Sequence, residues 1–272
     1  MNKTIRQRLR PVASRQNALV KELRRAFDRG ETTADGHCAI EGVRLIEEAI
    51  RSGLRFRAVY FREGSLELAD RLLPQIGATV ETVLLPKQVF DSAVATETPQ
   101  GVAALAKPRS FSLEDVLRPF QPLVLVLSGI QDPGNLGTIL RAAEAFGASG
   151  LVLSEKTVSE FNSKAVRASA GSVFRLPVVS AKLRELIPRL RESGLRLLAT
   201  SSHGGTPADQ ANLSGSVAMF VGNEASGLPR ELVSQMDETI MIPHAGPVES
   251  LNAAVAASIL LYEAARQRRA GI

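Results

Sequence analysis

Hydrophobic and polar residues alternate along the first part of this chain with the periods of short helices and strands. From Ser14 to Arg29, apolar residues recur on one side of a predicted amphipathic helix whose other faces are basic. A second helix is predicted from Glu41 to Ser52, just before Gly53. Further helices are predicted near 66–73 and 87–95, and strands at 39–40, 58–61, 79–84 and 101–105. This pattern predicts a small α/β unit that ends near Lys107.

The pattern changes between Lys107 and Pro122, where prolines interrupt a weakly periodic stretch, and we interpret 108–120 as a linker. Leu123 to Leu127 is a continuous apolar run, typical of a strand buried on both faces. Later strands are predicted at 151–153, 195–199, 217–221 and 239–242, and helices at 136–146, 162–170, 181–193, 229–236 and 250–269. This alternation predicts an α/β fold with a mostly parallel sheet. The expected domains are 1–107 and 121–272.

Composition places the chain among ordinary globular proteins, with 44% apolar and 22% charged residues among 272. A single cysteine excludes a disulfide framework within the chain and a cysteine-based zinc site. The three histidines, His37, His203 and His244, lie far apart and lack metal-ligand spacing, so no metal is expected. No apolar run reaches about 18 residues, and the first residues lack the apolar core of a secretory signal. We therefore expect a cytoplasmic protein without a membrane partner.

Positive charge is concentrated at the beginning of the chain. Residues 1–110 contain 18 Lys and Arg against 13 Asp and Glu, whereas residues 111–272 contain 15 of each. Within the first 30 residues, nine basic groups face two acidic ones. A basic end on a neutral body favours a polyanionic partner such as nucleic acid. A solubilising charged helix face would give the same pattern, so charge alone leaves both interpretations open.

The first segment with candidate chemistry, Ser128 to Gly147, begins where a buried strand ends and then opens a helix. Ligands of open α/β sheets bind outside the carboxyl ends of the strands. Gly134 and its neighbours predict a tight turn, Asn135 is a candidate helix cap, and Arg141 lies well inside the helix. No Gly-Lys-Ser/Thr and no Gly-x-Gly-x-x-Gly occurs here, so the phosphate loop and the dinucleotide fingerprint are both excluded. A plain strand-turn-helix corner with a surface arginine remains the alternative.

Two later segments repeat this arrangement of strand, polar loop and helix. In Met219–Leu232, Gly222 and Gly227 bracket Glu224 and would allow close backbone approach to a ligand. In 240–266, a loop rich in proline and glycine precedes an alanine-rich helix. For that helix, the alternative to a binding role is capping by Ser250, with Asn252 in the first turn.

Taken together, the three loops resemble the SpoU/TrmH family of RNA 2′-O-ribose methyltransferases, in the SPOUT class. The matching residues are Asn135-x5-Arg141, Gly222-Asn223-Glu224-x2-Gly227, and Ile242-Pro243 followed by Gly246-x3-Ser250-Leu251-Asn252. The resemblance covers roughly residues 121–268. The first part of the chain also resembles the family's substrate-binding domain, which is like ribosomal protein L30e; Glu41-Gly42 and Pro99-Gln100-Gly101-Val102 carry this second likeness.

The resemblance implies transfer of the methyl group of S-adenosylmethionine to a ribose 2′-oxygen of RNA. It implies a parallel sheet whose C-terminal part is threaded into a trefoil knot, a rare exception to unthreaded connections. It also implies a homodimer with the last helix at the interface. By position, the cofactor would be contacted largely by backbone groups of Thr200, Gly222, Ile242 and Leu251.

The resemblance also assigns roles to the motif side chains. The family's activating arginine corresponds to Arg141, and Asn135 and Glu224 correspond to its assistants. Because arginine stays protonated in proteins and suits a bidentate phosphate contact, Arg141 is either the activating group or a phosphate clamp. Ser250 and Asn252 would orient the ribose or the first-motif groups. Arg167, Ser169 and Gly171 lie in a stretch typical of the family, and the resemblance implies that they lie near RNA.

The RNA target is not named by the sequence. Ribosomal RNA of the 23S type is the first expectation and transfer RNA the second, and a role in thiostrepton resistance stays open. Two other hypotheses are an RNA-binding or ribosome-associated protein without activity, and a SPOUT enzyme that methylates a base nitrogen. Intact Asn135, Arg141, Glu224 and Asn252 weigh against the first of these, and the SpoU-type motifs weigh against the second.

Overall fold

The computed structural model describes residues 7–223, 225–246 and 248–270. Contacts along the chain divide it into two compact units. The first unit comprises Met1–Arg109 and Phe161–Arg175, and the second comprises Ser110–Glu160 and Leu176–Ile272. The segment Phe161–Arg175, which the sequence pattern assigned to the second domain, is therefore grouped by its contacts with the first unit.

The first unit contains a mixed sheet of five strands in the order β1-β4-β3-β5-β2. β5 is antiparallel to β3 and β2, and the other pairs are parallel. Its strands are β1 (Arg10–Pro11), β2 (Cys38–Glu41), β3 (Arg55–Arg62), β4 (Glu81–Leu85) and β5 (Val102–Lys107). Its helices, numbered along the whole chain, are α1 (Ala18–Arg29), α2 (Val43–Arg51), α3 (Leu66–Leu72), α4 (Lys87–Asp91) and α7 (Ser163–Ala168).

Helix α1 forms because its local signals agree with its packing. The side chain of Asn17 accepts a hydrogen bond from the Leu19 N–H at 3.0 Å and caps the helix, and Gly30 ends it in the left-handed conformation. The apolar face of the helix is buried in the core of the first unit. The buried Tyr60 hydroxyl donates to the Leu19 carbonyl at 3.0 Å, so β3 and the start of α1 are joined.

The segment Phe161–Arg175 is fitted closely into the first unit. Helix α7 packs against β2. Gly171 has a φ of +93°, and a Cβ on it would lie 2.7 Å from the Glu48 Cβ, so glycine is needed for both its conformation and its space. Arg175 Nη1 forms an ion pair with Glu48 Oε2 at 2.8 Å.

The second unit contains a seven-stranded sheet in the order β10-β12-β9-β11-β6-β7-β8, in which every pair is parallel. This confirms the expected α/β fold with a parallel-dominated sheet. The strands are β6 (Leu123–Leu127), β7 (Gly150–Leu153), β8 (Val178–Ser180), β9 (Arg196–Ser201), β10 (Thr206–Pro207), β11 (Val217–Val221) and β12 (Glu238–Met241). The helices are α5 (Leu113–Leu117), α6 (Pro133–Ala145), α8 (Leu183–Glu192), α9 (Arg230–Val233) and α10 (Ala253–Ala270).

The sheet order brings the three motif loops to one edge. β11 lies between β9 and β6, and β12 lies on the other side of β9. Because these strands are parallel, their carboxyl ends meet at the same edge of the sheet. The loops after β6, β11 and β12 therefore emerge side by side, together with the end of β9. Strands β6 and β11 are buried along their whole length. Such burial is expected where helices cover both faces of a parallel sheet.

Two local expectations differ from the structure. Asp132, not Asn135, caps helix α6, because its side chain accepts from the Gly134 N–H at 2.6 Å and Pro133 then opens the helix. The stretch expected to be a linker contains helix α5, which begins with a capping box between Ser112 and Asp115 and buries Val116 in the core of the second unit. Among the residues described, no helix has the length and apolar character needed to cross a membrane.

Candidate functional site

A cavity of about 430 Å³ opens where the motif loops meet in the second unit. The four residues expected to contact a cofactor, Thr200, Gly222, Ile242 and Leu251, all line it, and so does Ser250. These residues come from the ends of β9, β11 and β12 and from the turn before α10. They are spread over 52 positions of the sequence, and the order of the strands brings them together in one wall of the cavity. The volume lies within the usual range for small-molecule sites, about 300–1,000 Å³.

The loop after β11 folds back on itself at Gly222. A Cβ on Gly222 would lie 2.3 Å from the carbonyl carbon of Gly227, so no larger residue fits. Asn223 holds this turn, because its side-chain oxygen accepts from the Ala225 N–H at 2.9 Å and its amide nitrogen donates to the Gly129 carbonyl at 2.7 Å. From the sequence, we attributed the glycine at position 222 to close approach of a ligand to its backbone. In the structure, the protein's own loop fills the space that a Cβ on Gly222 would occupy.

The end of β9 is fixed to its neighbour by a side chain. Thr200 Oγ1 donates to the Phe220 carbonyl at 2.9 Å, which joins the end of β9 to β11. Beyond it, the Ser202 hydroxyl and His203 Nδ1 lie 2.9 Å apart, and both residues line the cavity. This wall is polar and offers hydroxyl and imidazole groups to a bound molecule.

His244 spans the loop that follows β12. Its Nδ1 lies 3.0 Å from the Ile242 carbonyl oxygen, and its Nε2 lies 3.2 Å from the Val248 carbonyl oxygen. Because both partners are acceptors, a neutral imidazole can donate to only one of them at a time. The ring therefore holds the loop from within, on the wall that Ile242 provides to the cavity.

The polar residues of the cavity lining that sequence reasoning missed include two histidines and a glutamate, His203, His244 and Glu249. The histidines were considered only as metal ligands, for which their spacing is wrong. The signal that could have found them is their position directly after predicted strands, the same signal that identified the motif loops.

Asn135 and Asn252 are brought together from different helices. Asn252 Oδ1 accepts from the N–H groups of Ala254 at 2.9 Å and Val255 at 3.3 Å, so Asn252, not Ser250, caps helix α10. Its amide nitrogen donates to Asn135 Oδ1 at 3.1 Å. The cap thus leaves the amide donor free to reach the first turn of α6, and this pair lies beside the part of the cavity that Ser250 and Leu251 line.

Arg141 lies on the exposed side of α6. Its guanidinium makes no hydrogen bond or ion pair within the ranges that the structure describes, and it does not belong to the described lining of the cavity. Glu224 lies outside the described residues. The structure therefore places Ser250 in the cavity lining and joins Asn252 to Asn135, whereas Arg141 contributes neither to this hydrogen bond nor to the described lining.

One group of possible metal ligands occurs in the described part of the chain, and it lies in the first unit. The ligand atoms of Glu22, Asp35 and His37 lie within 4.8 Å of one another. Burial lowers the pKa of His37, although Glu22 and Asp35 act in the opposite direction. Sequence spacing could not reveal this group because Glu22 comes from α1 and the other two from the turn before β2.

Comparisons with known proteins agree with this geometry. The model of the SpoU rRNA methylase family matches residues 122–262, and that of the MRM3-like substrate-binding domain matches residues 17–104. The chain is 32% identical over 254 residues to the 23S rRNA (guanosine(2553)-2′-O)-methyltransferase RlmP of Bacillus subtilis (strain 168), covering 93% of this chain and 98% of that protein.

Two solved structures are similar to this chain over nearly its whole length. The SpoU methyltransferase AviRb from Streptomyces viridochromogenes superposes with a TM-score of 0.83 at 29% identity, over 94% of this chain and 99% of that one. An AdoMet-bound rRNA methyltransferase from Sinorhizobium meliloti gives 0.82 at 30% identity, over 95% and 98%. With its three motif loops on one sheet edge and its match to the family model, the chain belongs to the SpoU rRNA methylase family.

Proposed function

We propose that this protein is an RNA methyltransferase that transfers the methyl group of S-adenosylmethionine to a ribose 2′-oxygen of ribosomal RNA. One observation carries the proposal: Thr200, Gly222, Ile242 and Leu251 line a single cavity at the carboxyl edge of the parallel sheet. The relative from Bacillus subtilis is a 23S rRNA 2′-O-methyltransferase of nearly the same extent, and the Sinorhizobium meliloti structure contains AdoMet.

The lining of the cavity suits S-adenosylmethionine. A sulfonium nucleoside needs an apolar surface for its base and hydrogen-bonding groups for its ribose and amino acid parts. Ile242, Leu251 and Leu260 supply the first, and Ser201, Ser202 and the loop backbone around Gly222 supply the second. When bound, S-adenosylmethionine supplies an electrophilic methyl group on its sulfur.

The chain's own residues must orient the ribose hydroxyl and assist removal of its proton, because a hydroxyl is a poor nucleophile. Asn135, held by Asn252 at 3.1 Å, and Ser250 are the side chains proposed to position the 2′-oxygen. Glu224 is proposed to assist them. Arg141 is proposed either to activate the hydroxyl or to clamp the adjoining phosphate; the clamp suits a guanidinium that stays charged and has no internal partner in the described residues.

Further properties are proposed from the family likeness. They are a trefoil knot in the C-terminal part of the second unit, an L30e-like first domain over 1–107 to which Phe161–Arg175 adds, a methyltransferase domain over the rest of 121–272, and cytoplasmic location. The linker expected at 108–120 is not proposed again, because helix α5 buries Val116 in the core of the second unit. A homodimer through the last helix is supported by Val255, Ile259 and Tyr262, which follow one face of α10 with 48%, 38% and 49% exposure. The opposite face of α10 is buried in its own unit.

Methyl transfer to unmodified RNA tests the proposed function. The full chain is incubated with radiolabelled S-adenosylmethionine and either a 23S rRNA transcript or a mixed transfer RNA preparation, and the RNA is digested to nucleosides. We expect a 2′-O-methyl nucleoside from the ribosomal transcript. Label on a base, or label only in transfer RNA, would contradict the reaction or the substrate respectively. Calorimetry without S-adenosylmethionine binding, in the presence and absence of RNA, would contradict the cofactor.

A further inference from the structure

The first unit has a pocket of its own, with a volume of about 940 Å³. It lies at the beginning of helix α2 and is closed on another side by helix α7. Its lining includes Glu41, Arg44, Gln100, Arg167 and Ala170. Arg167 and Ala170 belong to the segment Phe161–Arg175, so this pocket is complete only with residues that follow the first 109 along the chain.

Glu41 is a buried carboxylate with one unused oxygen. Glu41 is only 6% exposed, and its Oε1 accepts a hydrogen bond from the Thr96 hydroxyl at 2.5 Å. Its Oε2 has no hydrogen-bond partner among the residues described. Burial raises the pKa of Glu41 against the hydrogen bonds from Thr96 and Gln100, so the charged form is costly here. A buried acceptor of this kind needs a donor. The oxygen is enclosed in the unliganded protein, but Glu41 lines the pocket, so a ligand that reaches this oxygen from the pocket would supply the donor.

Two of the pocket's cations form no ion pair or hydrogen bond within the described residues, although the charge of Arg167 acts on Glu41 and opposes the rise of its pKa. Arg51 and Arg71 are paired with Glu48 and Glu47, so their charge is largely satisfied. Arg44 and Arg167 are exposed and form no ion pair or hydrogen bond with any residue in the described ranges. These two guanidinium groups come from α2 and α7, and both line the same pocket as Glu41. They offer planar, bidentate donors for an anion such as phosphate.

We propose that this pocket holds one unpaired nucleotide of the RNA substrate, with Arg44 and Arg167 on its phosphate groups and Glu41 accepting an N–H of its base. The inference rests on the proposed function, since it deepens what the first unit recognises. A carboxylate accepts but does not donate, so it selects a base edge that carries donors. Guanine has the most N–H donors on its Watson–Crick edge, and guanosine is therefore the expected nucleotide.

RNA binding by the full chain separates two explanations, because electrostatic attraction and base recognition predict opposite changes in RNA affinity when Glu41 is replaced. Glu41→Gln removes a negative charge, so purely electrostatic attraction would strengthen RNA binding. Base recognition predicts instead that the affinity of this variant for a 23S rRNA transcript falls about tenfold, because the amide keeps only one acceptor oxygen, which the Thr96 hydroxyl occupies, and presents an N–H donor in place of the second. Arg44→Ala and Arg167→Ala should each weaken binding about fivefold and reduce the salt dependence by about one phosphate contact. Arg55→Ala, an exposed arginine outside the pocket lining, is the matched control for charge.

Mononucleotides then test the pocket directly. The full chain is titrated with guanosine, adenosine, cytidine and uridine 5′-monophosphates while resonances of the first unit are followed by NMR. We expect saturable shifts that are strongest with guanosine monophosphate and are lost in Glu41→Gln. Equal RNA affinity for the wild type and all three pocket variants would overturn the proposal, as would no difference between the nucleotides.

The proposed function is checked separately in the same samples. S-adenosylmethionine affinity should be equal in the wild type and the three pocket variants, because the cofactor cavity lies in the second unit. Loss of cofactor binding or methyl transfer in the wild type would contradict the proposed function itself. Normal wild-type transfer combined with unaffected pocket variants would contradict only the pocket.

Discussion

The side-chain amide of Asn252 donates a hydrogen bond to Asn135 Oδ1 at 3.1 Å while its own oxygen caps helix α10. The first turns of α6 and α10 are joined by this single residue, although 117 positions separate the two partners. The amide nitrogen and oxygen of Asn252 thus serve different purposes, one at the candidate site and one in helix stability. Substitutions that change only one of these atoms can separate the two purposes.

Asn252→Asp keeps the capping oxygen and loses the amide donor. We expect its melting temperature to stay close to that of the wild type, while kcat/KM for methyl transfer falls at least about tenfold because Asn135 is no longer held. Asn252→Ala loses the cap as well and should cost about 1 kcal/mol of stability. Thermal unfolding and methyl transfer are measured for both variants. An aspartate variant with full activity would remove the Asn135 contact from the mechanism.

Arg141 tests whether charge or geometry matters at the exposed side of α6. Arg141→Lys keeps the charge but loses the planar, bidentate fork, so we expect it to lose activity about 100-fold, nearly as much as Arg141→Ala. S-adenosylmethionine affinity should change little, because Arg141 is not part of the described cavity lining. Turnover and calorimetry are compared in both variants. Near-normal turnover of the lysine variant would show that a positive charge alone suffices.

Gly222 is constrained by its own loop, so even one added carbon should be harmful. Gly222→Ala forces a Cβ to within 2.3 Å of the Gly227 carbonyl carbon, and we expect a loss of about 1–3 kcal/mol in stability together with weaker cofactor binding. Gly215→Ala is the matched control, since a Cβ there meets nothing within 4 Å. Chemical denaturation measures both. Equal stability of the two variants would show that the loop after β11 adjusts freely.

Glu41 should make stability depend on pH in a definite direction. Burial raises its pKa in the folded protein, so the folded state keeps its proton to higher pH than the unfolded chain does. Stability is therefore lost as pH rises from the ordinary pKa of glutamate through the raised one. Glu41→Gln removes this loss, so it should raise the melting temperature near neutral pH and have little effect near about pH 4. Glu63→Gln, the same substitution at an exposed position, is the control.

The exposed face of α10 gives a test of the proposed dimer. Ile259 lies between Val255 and Tyr262 on that face, and Tyr262 makes an edge-to-face contact with Phe146 at 5.7 Å between ring centroids. Ile259→Asp should weaken a homodimer at least tenfold, because a carboxylate would be buried, with no change in circular dichroism. Light scattering after gel filtration gives the mass. A wild type that is monomeric at high concentration would contradict the dimer.

The sequence predicted two central strands of the second unit more closely than it predicted helix ends, although it missed the short strands β1, β8 and β10. Leu123–Leu127 and Val217–Val221 have the expected bounds, because unbroken runs of Leu, Val and Phe leave few alternatives to a strand buried on both faces. Helix caps were harder to predict. Each helix has two residues of suitable type near its start, Asp132 and Asn135 for α6 and Ser250 and Asn252 for α10. Which of them caps a helix depends on where the strand before it stops, and sheet packing decides that.

The candidate site was predictable only in outline. Strand order places the motif loops on one edge, and loops after neighbouring parallel strands meet for a general reason. The reason why position 222 requires glycine was not predictable, because the Gly227 backbone approaches it only once the loop has folded. Likewise, nothing in the pattern indicates that Phe161–Arg175 groups with the first unit, since the fit of Gly171 against Glu48 is a tertiary contact.

That grouping has a consequence for synthesis of the protein on the ribosome. When Arg109 has been made, the first unit still lacks α7 and the Arg175 partner of Glu48. Strands β6 and β7 and helix α6 are translated before this missing segment. Nascent chains usually fold unit by unit from the N-terminus. Here the N-terminal unit is complete only after translation has passed Arg175, and the pocket that Arg167 lines is among the last of its features to form.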